Sequence, residues 1–173
     1  MARVSDEELH QLASELGDKL IARGWMLATA ESCTGGWVGQ LLTSLPGSSH
    51  WYERGFITYA NAAKIEMLGV PAEVIDEHGA VSEETACAMA AGALAHSHAQ
   101  AALAISGIAG PGGGTPQKPL GLVCYGWALA DGTLMSSICR LDGDREEIRS
   151  RAVAAALRGL IELLGQGQKA NPL

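Results

Sequence analysis

Basic residues are scarce in this sequence, and their scarcity argues against several classes of protein. The 173 residues include 12 Lys and Arg against 19 Asp and Glu, which gives a formal net charge of −7. Cationic contacts supply most of the affinity for a phosphate backbone, so nucleic acid is not expected as a partner. No apolar run approaches the roughly 20 residues that cross a bilayer, and residues 5–8 (SDEE) are acidic, unlike the start of a signal peptide. We therefore expect a cytoplasmic protein with no membrane partner.

The cysteines show no pattern of a metal site or a disulfide framework. The four cysteines form no CxxC pair, and in a chain without an export signal they are expected to remain reduced thiols. No group of His, Cys or carboxylate residues has the spacing of metal ligands, so we expect neither a metal nor a cofactor. Hydrophobic residues make up 47% of the chain and charged residues 18%. This composition excludes an intrinsically disordered chain, because disorder requires low hydrophobicity and high charge.

Apolar periodicity predicts helices that alternate with buried strands. Ser5 and Glu8 form a capping box, after which apolar residues recur at helical spacing until Gly24. Ser82 is expected to cap a long Ala-rich helix, and Asp144 to cap the last helix. Strands are predicted at residues 25–30, 51–59, 101–105, 120–130 and 133–141, the last two joined by a two-residue turn at Asp131-Gly132.

These elements indicate a single domain of the α/β class. Helices interleaved with mostly buried strands, together with one hairpin, predict a three-layer α/β/α sandwich around a mixed, mostly parallel sheet. A length of 173 residues suits one domain, for which roughly 100–200 residues are usual. We place the domain at residues 1–164 and expect a flexible tail at 165–173, which is polar and contains glycine.

The heptapeptide AESCTGG, which contains Ser32, lies where a buried strand is predicted to turn into a helix that starts at Thr34. Backbone N–H groups at a helix start are unpaired and carry the positive end of the helix dipole. Ser32 is therefore a candidate nucleophile, and the N–H groups around Cys33 and Thr34 are candidate donors to its oxyanion. Gly35 and Gly36 would leave room for a substrate close to the backbone. The alternative is that Ser32 merely caps the helix.

A serine nucleophile needs a base, and the histidines are not placed to supply one. All five are predicted on exposed helix faces or in loops: His10, His50, His78, His96 and His98. Lys64 is the better candidate, because it lies in the first turn of a helix after a buried strand, where desolvation and the helix dipole disfavour its ammonium form. Tyr59, at the end of that strand, is placed to hydrogen-bond either Ser32 or Lys64. The alternative is a solvated lysine and a tyrosine at the rim.

A glycine-rich loop follows the strand predicted at residues 101–105. Its sequence, SGIAGPGGGTP, matches neither GxxxxGK[ST] nor GxGxxG. It nevertheless begins at the sheet edge where α/β proteins bind ligands. The loop is either a structural turn or a ligand-facing segment. In the second case the residues expected to contact the ligand are Ser106, Gly107, Gly110 and Gly112.

Arg145 is the candidate cation for an anionic group. It begins the helix that Asp144 caps, where unpaired N–H groups and the helix dipole assist anion binding. A guanidinium also binds phosphate through two parallel hydrogen bonds. From the residues alone, a solvated helix face is equally compatible with this position, and Arg149 or Lys118 are alternative cations.

Several segments of the chain together carry a family resemblance. They are AESCTGG at residues 30–36, Tyr59 with Lys64, Val81-Ser82, Met89-Ala90, SGIAGPGG at 106–113, Lys118-Pro119-x-Gly121 and Gly143-Asp144-Arg145. From about residue 5 to residue 164 the chain resembles the C-terminal domain family of the competence/damage-inducible protein CinA. The resemblance implies an α/β/α sandwich and a homodimer. It also implies a Ser–Lys pair, which maps onto Ser32 and Lys64 with Tyr59 close by.

Stand-alone members of that family hydrolyse the amide of nicotinamide mononucleotide, giving nicotinate mononucleotide and ammonia. The resemblance therefore predicts a metal-free covalent deamidation of this small-molecule nucleotide. The predicted substrate-binding residues are Cys33, Thr34, Gly35, Gly36, Ser106, Gly107, Gly110, Gly112 and Arg145. Two alternatives remain, namely a nucleotide-binding regulatory module without turnover and a Ser–Lys amidase with a different substrate.

Overall fold

The computed structural model describes residues 2–166 and arranges them as one five-stranded sheet covered by helices on both faces. In chain order the elements are α1 (Asp6–Arg23), β1 (Leu27–Glu31), α2 (Trp37–Thr43), β2 (Tyr52–Ile57), α3 (Asn61–Leu68), α4 (Ala72–His78), α5 (Glu83–Ala95), β3 (Ala101–Gly107), β4 (Leu122–Leu129), β5 (Leu134–Arg140) and α6 (Arg145–Gln166), with a short 3₁₀ turn at Ser48–His50. None of the helices within residues 2–166 is long and apolar enough to cross a membrane.

The sheet has the strand order β2-β1-β3-β4-β5. Strand β1 pairs in parallel with both β2 and β3, whereas β4 is antiparallel to β3 and to β5. Four of the five strands therefore point the same way and β4 alone is reversed, which confirms the predicted mixed, mostly parallel sheet. The carboxyl ends of β1, β2 and β3 consequently meet at one edge.

Alternation along the buried strands divides the core into two layers, as a pleated sheet requires. In β3, Leu103 and Ile105 face α1, α2 and α6, whereas Ala102 and Ala104 face α3, α4 and α5. The second layer is rich in small residues, so α5 lies very close to the sheet. A Cβ at Gly126 of β4 would collide with the backbone of α5. This arrangement confirms the α/β/α sandwich and explains why the helix after Ser82 is rich in alanine.

The helix ends follow the predicted capping chemistry. The Ser5 hydroxyl accepts from the N–H of Glu8, and Gly24 ends α1 with a left-handed φ of 64°. The Ser82 hydroxyl caps α5. At α6, Asp144 Oδ1 accepts from the N–H of Glu147, whose own carboxylate accepts from the N–H of Asp144.

Three local expectations need correction. Helix α2 begins at Trp37 and not at Thr34, because the chain first forms a turn over residues 32–36. The N–H of Leu129 donates to the carbonyl of Thr133, so the hairpin loop has three residues and not two. Its last residue, Gly132, has a left-handed φ of 92°. Helix α6 extends through residue 166, two residues into the predicted tail, and residues 167–173 lie outside the described part of the chain.

All four cysteines are free thiols, as predicted.

Candidate active site

Residues that follow β1, β2 and β3 meet in a cavity at the shared carboxyl edge of these strands. Ser32 comes directly after β1, Lys64 lies in the helix that follows β2, and Gly107 ends β3. The cavity has a volume of about 230 Å³. Its lining consists of Ser32, Cys33, Tyr59, Asn61, Lys64, Ala80, Val81, Ser106, Gly107, Ala109 and Arg145. Topology therefore brings the predicted nucleophile and base together from two different strand ends.

Lys64 is the buried lysine of this cavity. Its side chain is 1% exposed, and Nζ lies 3.1 Å from the Ser32 hydroxyl oxygen. The same Nζ donates to the backbone carbonyls of Thr58, at 2.9 Å, and Tyr59, at 3.2 Å. Among residues 2–166 no carboxylate pairs with it. Burial lowers the pKa of Lys64 below its ordinary value, because the ammonium form loses its hydration, and the neighbouring Cys33 offsets this effect only in part.

The arrangement suits a hydroxyl nucleophile activated by a neutral amine. An uncharged lysine has two N–H donors and one lone pair. The two carbonyls can take both donors, which leaves the lone pair for the O–H of Ser32. Ser32 is 8% exposed, so the hydroxyl is shielded from bulk water but remains at the cavity surface. Burial raises the pKa of the Cys33 thiol to about 11, which disfavours the reactive thiolate form.

Glu31 is the principal residue of this region that sequence reasoning missed. It is 2% exposed, and its carboxylate accepts four hydrogen bonds at 2.6–3.1 Å. The donors are the Thr34 hydroxyl and the N–H groups of Gly36, Val38 and Gly39. This carboxylate supplies the cap that α2 otherwise lacks. The available signal was an acidic residue at the end of a buried strand, directly before a predicted helix start.

Gly35 and Gly36 allow the backbone of the turn to adopt a left-handed conformation. Gly35 and Gly36 have left-handed φ values of 60° and 100°, a conformation that costs other residues free energy. With Thr34, they line a second cavity of about 540 Å³, not the cavity of Ser32 and Lys64. Thr34, Gly35 and Gly36 were predicted to contact substrate. None of the three lines the first cavity, but the N–H of Thr34, unlike those of Gly35 and Gly36, has no acceptor among the described residues.

Arg149 contacts this turn through two consecutive carbonyls. Its Nε donates to the carbonyl of Cys33 at 3.1 Å and its Nη2 to that of Thr34 at 3.0 Å. Lys118, the other alternative cation, donates from Nζ to the carbonyl of His78. Neither alternative lines the cavity of Ser32 and Lys64, whereas Arg145 does.

Tyr59 and Arg145 form the rim of the cavity. The Tyr59 ring is largely outside, since the residue is 62% exposed, and its hydroxyl accepts from Arg145 Nη2 at 3.3 Å. The prediction that this hydroxyl contacts Ser32 or Lys64 is wrong in this structure, where the backbone carbonyl of Tyr59 contacts Lys64 instead. Arg145 Nη1 also donates to the carbonyl of Gly110 at 2.6 Å, which ties the rim to the glycine-rich loop.

The glycine-rich loop contributes two of its four predicted residues to the lining. The Ser106 hydroxyl donates to the carbonyl of Ala80 at 2.7 Å. A Cβ at Gly107 would approach Cys33 Sγ to 3.2 Å, so a side chain there would crowd the cavity wall. Gly110 and Gly112 do not line the cavity. A Cβ at Gly110 would collide with Leu120, and one at Gly112 would meet nothing within 4 Å.

Asn61 lines the cavity without having been predicted. It opens α3 two residues after Tyr59, and that position was the signal. No histidine lines the cavity. Within residues 2–166 no group of three or more His, Cys, Asp or Glu side chains is placed to hold a metal ion.

Comparison with known proteins identifies the family. Residues 9–164 match the model of the CinA C-terminal domain. The chain is 48% identical over 157 residues to the nicotinamide-nucleotide amidohydrolase PncC of Escherichia coli K12, covering 91% of this chain and 95% of the relative. It is 48% identical to the nicotinamide-nucleotide amidohydrolase PncC of Pseudomonas putida over 153 residues, 88% of this chain and 94% of the relative.

A solved structure agrees with these sequence relatives. The competence/damage inducible protein CihA of Agrobacterium tumefaciens superposes with a TM-score of 0.88 at 44% identity. The match covers 94% of this chain and 98% of that protein. The chain therefore belongs to the CinA C-terminal domain family.

Proposed function

We propose that this chain is an amidohydrolase that converts nicotinamide mononucleotide to nicotinate mononucleotide and ammonia. The observation that carries the proposal is the buried contact of 3.1 Å between Lys64 Nζ and Ser32 Oγ, two residues that line the same cavity. Support comes from two relatives named nicotinamide-nucleotide amidohydrolase, each matched over nearly its whole length at 48% identity.

In the acylation half, Ser32 is the nucleophile and neutral Lys64 its base. The Ser32 oxygen attacks the carboxamide carbon while its proton moves to Lys64. The tetrahedral intermediate carries an oxyanion, for which the N–H groups of Cys33 and Thr34 are the proposed donors. Lys64 then returns the proton to the amide nitrogen, the C–N bond breaks, and ammonia leaves an ester on Ser32. The cationic pyridinium ring withdraws electrons and makes the carbonyl carbon more electrophilic.

In the deacylation half, water takes the place of the leaving amine. Lys64 removes a proton from that water, whose oxygen attacks the ester carbon. The bond to the Ser32 oxygen breaks, the serine recovers its proton, and nicotinate mononucleotide is released as the acid. The lowered pKa of Lys64 favours the neutral form that both halves require.

The phosphate of the substrate needs a local cation, because the net charge of −7 does not attract an anion. We propose that Arg145 supplies it, since this guanidinium lies at the rim of the cavity and makes no ion pair among the described residues. Tyr59, through its contact with Arg145, is proposed to position that guanidinium. A proton-transfer role for its hydroxyl would require the ring to turn inward when substrate binds.

The test of this function is ammonia release by the purified full chain. We expect ammonia and nicotinate mononucleotide in equal amounts from nicotinamide mononucleotide, with less activity on the riboside that lacks the phosphate. Binding without release of ammonia would favour a regulatory nucleotide-binding module. Release from other amides, but not from this nucleotide, would favour an amidase with a different substrate.

The homodimer and the cytoplasmic location are also proposals. Light scattering in solution tests whether the chain is a homodimer.

A further inference from the structure

Arg149 binds the turn that follows β1 and does not line the cavity of Ser32 and Lys64. Its guanidinium donates to the carbonyls of Cys33 and Thr34 and lies 5.2 Å from the centre of the Trp37 ring. It makes no ion pair within residues 2–166. With Thr34 and Gly35 it lines the second cavity, whereas Ser32 and Lys64 line the first.

Binding of the Cys33 carbonyl fixes the direction of the next N–H. A trans peptide group is planar, and its C=O and N–H point in opposite directions. The carbonyl of Cys33 and the N–H of Thr34 belong to one such group. Because the carbonyl points toward Arg149, the N–H of Thr34 points away from it.

Two N–H groups of the turn are left without a partner. The N–H of Ser32 donates to Ile105, and that of Gly35 donates back to Ser32. The N–H of Gly36 is taken by the Glu31 carboxylate. Within residues 2–166 the N–H groups of Cys33 and Thr34 have no acceptor. These two N–H groups belong to the residues that directly follow Ser32 in the chain, and the turn around them is bound by the Glu31 carboxylate and the Arg149 guanidinium.

We propose that Arg149 is a positioning residue, which aligns the peptide between Cys33 and Thr34 so that its N–H can donate to the oxyanion formed at Ser32. This inference rests on the proposed function, because it assigns a task within that reaction. It differs from a phosphate-binding role at this site, since the Arg149 side chain does not line the cavity of Ser32 and Lys64. Arg149 acts on the transition state only through the peptide that it holds.

The kinetic signature of such a residue is a loss of kcat with little change in KM. The oxyanion is absent from the bound substrate, so a misaligned donor weakens only the transition state. We expect Arg149→Met to lower kcat by about 10–100-fold, less than the roughly 100–1,000-fold that follows outright loss of an oxyanion donor. The kcat of Arg149→Lys should lie between those of the unmodified chain and Arg149→Met, because one ammonium group does not reproduce the planar pair of hydrogen bonds that a guanidinium donates to two carbonyls.

The matched control is Arg158→Met on the same helix. Arg158 pairs with Glu8 at the surface and does not line the Ser32 cavity, so its loss should leave kcat and KM unchanged. Thermal melting of all variants checks that they fold. If Arg149→Met does not fold, the kinetics of Arg149→Lys serve as the test. A second readout is the rate at which a small alkyl phosphonofluoridate modifies Ser32, which should fall in parallel with kcat.

Two outcomes would overturn the proposal. A kcat for Arg149→Met equal to that of the unmodified chain would show that the turn needs no alignment by this residue. A rise in KM with unchanged kcat would assign Arg149 to substrate binding instead. If the unmodified chain releases no ammonia from nicotinamide mononucleotide, the proposed function fails. The phosphonylation rates of the Arg149 variants then still decide whether this residue supports the reactivity of Ser32.

Discussion

Replacing Arg145 by alanine separates phosphate binding from the chemistry at Ser32. The guanidinium lies at the cavity rim, held by the carbonyl of Gly110 at 2.6 Å and the hydroxyl of Tyr59 at 3.3 Å. The substrate carries its amide at one end and its phosphate at the other. A cation at the rim can therefore contact the phosphate while the amide reaches Ser32.

The magnitude follows from the loss of one charged hydrogen-bonding group. Such a group contributes about 1.5–3 kcal/mol, which corresponds to a loss of about 10–150-fold in kcat/KM. We expect the lower part of this range, since water reaches the exposed guanidinium and weakens its interaction with an anion. The loss should appear in KM, because the phosphate is bound equally in the ground state and the transition state.

The assay compares nicotinamide mononucleotide with its dephosphorylated riboside. Arg145→Ala should raise KM strongly for the nucleotide and change the rate on the riboside little. Tyr59→Phe is the matched control, because it removes one partner of the guanidinium and leaves the charge in place. It should raise KM for the nucleotide by less than Arg145→Ala does. An equal loss on both substrates would refute the reasoning and assign Arg145 to the structure or the chemistry.

Three further predictions concern other parts of the site. The rate kcat/KM should rise with pH through the lowered pKa of Lys64, with a midpoint below the ordinary value of 10.5, because only the neutral amine accepts the proton. A profile that is flat from acid to alkaline pH would contradict Lys64 as base. Glu31→Gln should lower the free energy of unfolding by about 1–3 kcal/mol in urea titration, because an amide offers one acceptor oxygen to four donors. An unchanged midpoint would show that this network does not stabilise the fold. Extensive dialysis against EDTA should leave ammonia release unchanged, and a loss restored by a divalent ion would overturn the metal-free mechanism.

The fold and the candidate positions of Ser32 and Lys64 could be predicted because their signals are local. Caps at Ser5, Ser82 and Asp144 mark helix starts, and unbroken apolar runs mark buried strands. The carboxyl ends of parallel strands must meet at one edge of the sheet. Ser32 and Lys64, each following a different strand, were candidates on that ground, and the family resemblance implied that they form a pair.

The surroundings of Ser32 could not be predicted, because they depend on contacts between distant parts of the chain. Arg149 reaches the carbonyl of Cys33 across 116 positions of sequence, and no local pattern indicates that pairing. The Glu31 carboxylate and two left-handed glycines delay the start of α2 to Trp37, against the expected start at Thr34. The Tyr59 hydroxyl points outward and hydrogen-bonds Arg145, which lies in a helix 86 positions later in the sequence.

The central claim is that Ser32 is the nucleophile of an amide hydrolysis, and the most direct measurement is the initial rate of ammonia release from nicotinamide mononucleotide by Ser32→Ala. Its matched control is Ser48→Ala, since Ser48 is also 8% exposed but does not line the cavity. The account predicts that Ser48→Ala retains the rate of the unmodified chain, whereas Ser32→Ala, folded to the same melting temperature, loses nearly all of it. A Ser32→Ala variant that kept more than a small fraction of that rate would contradict the covalent mechanism.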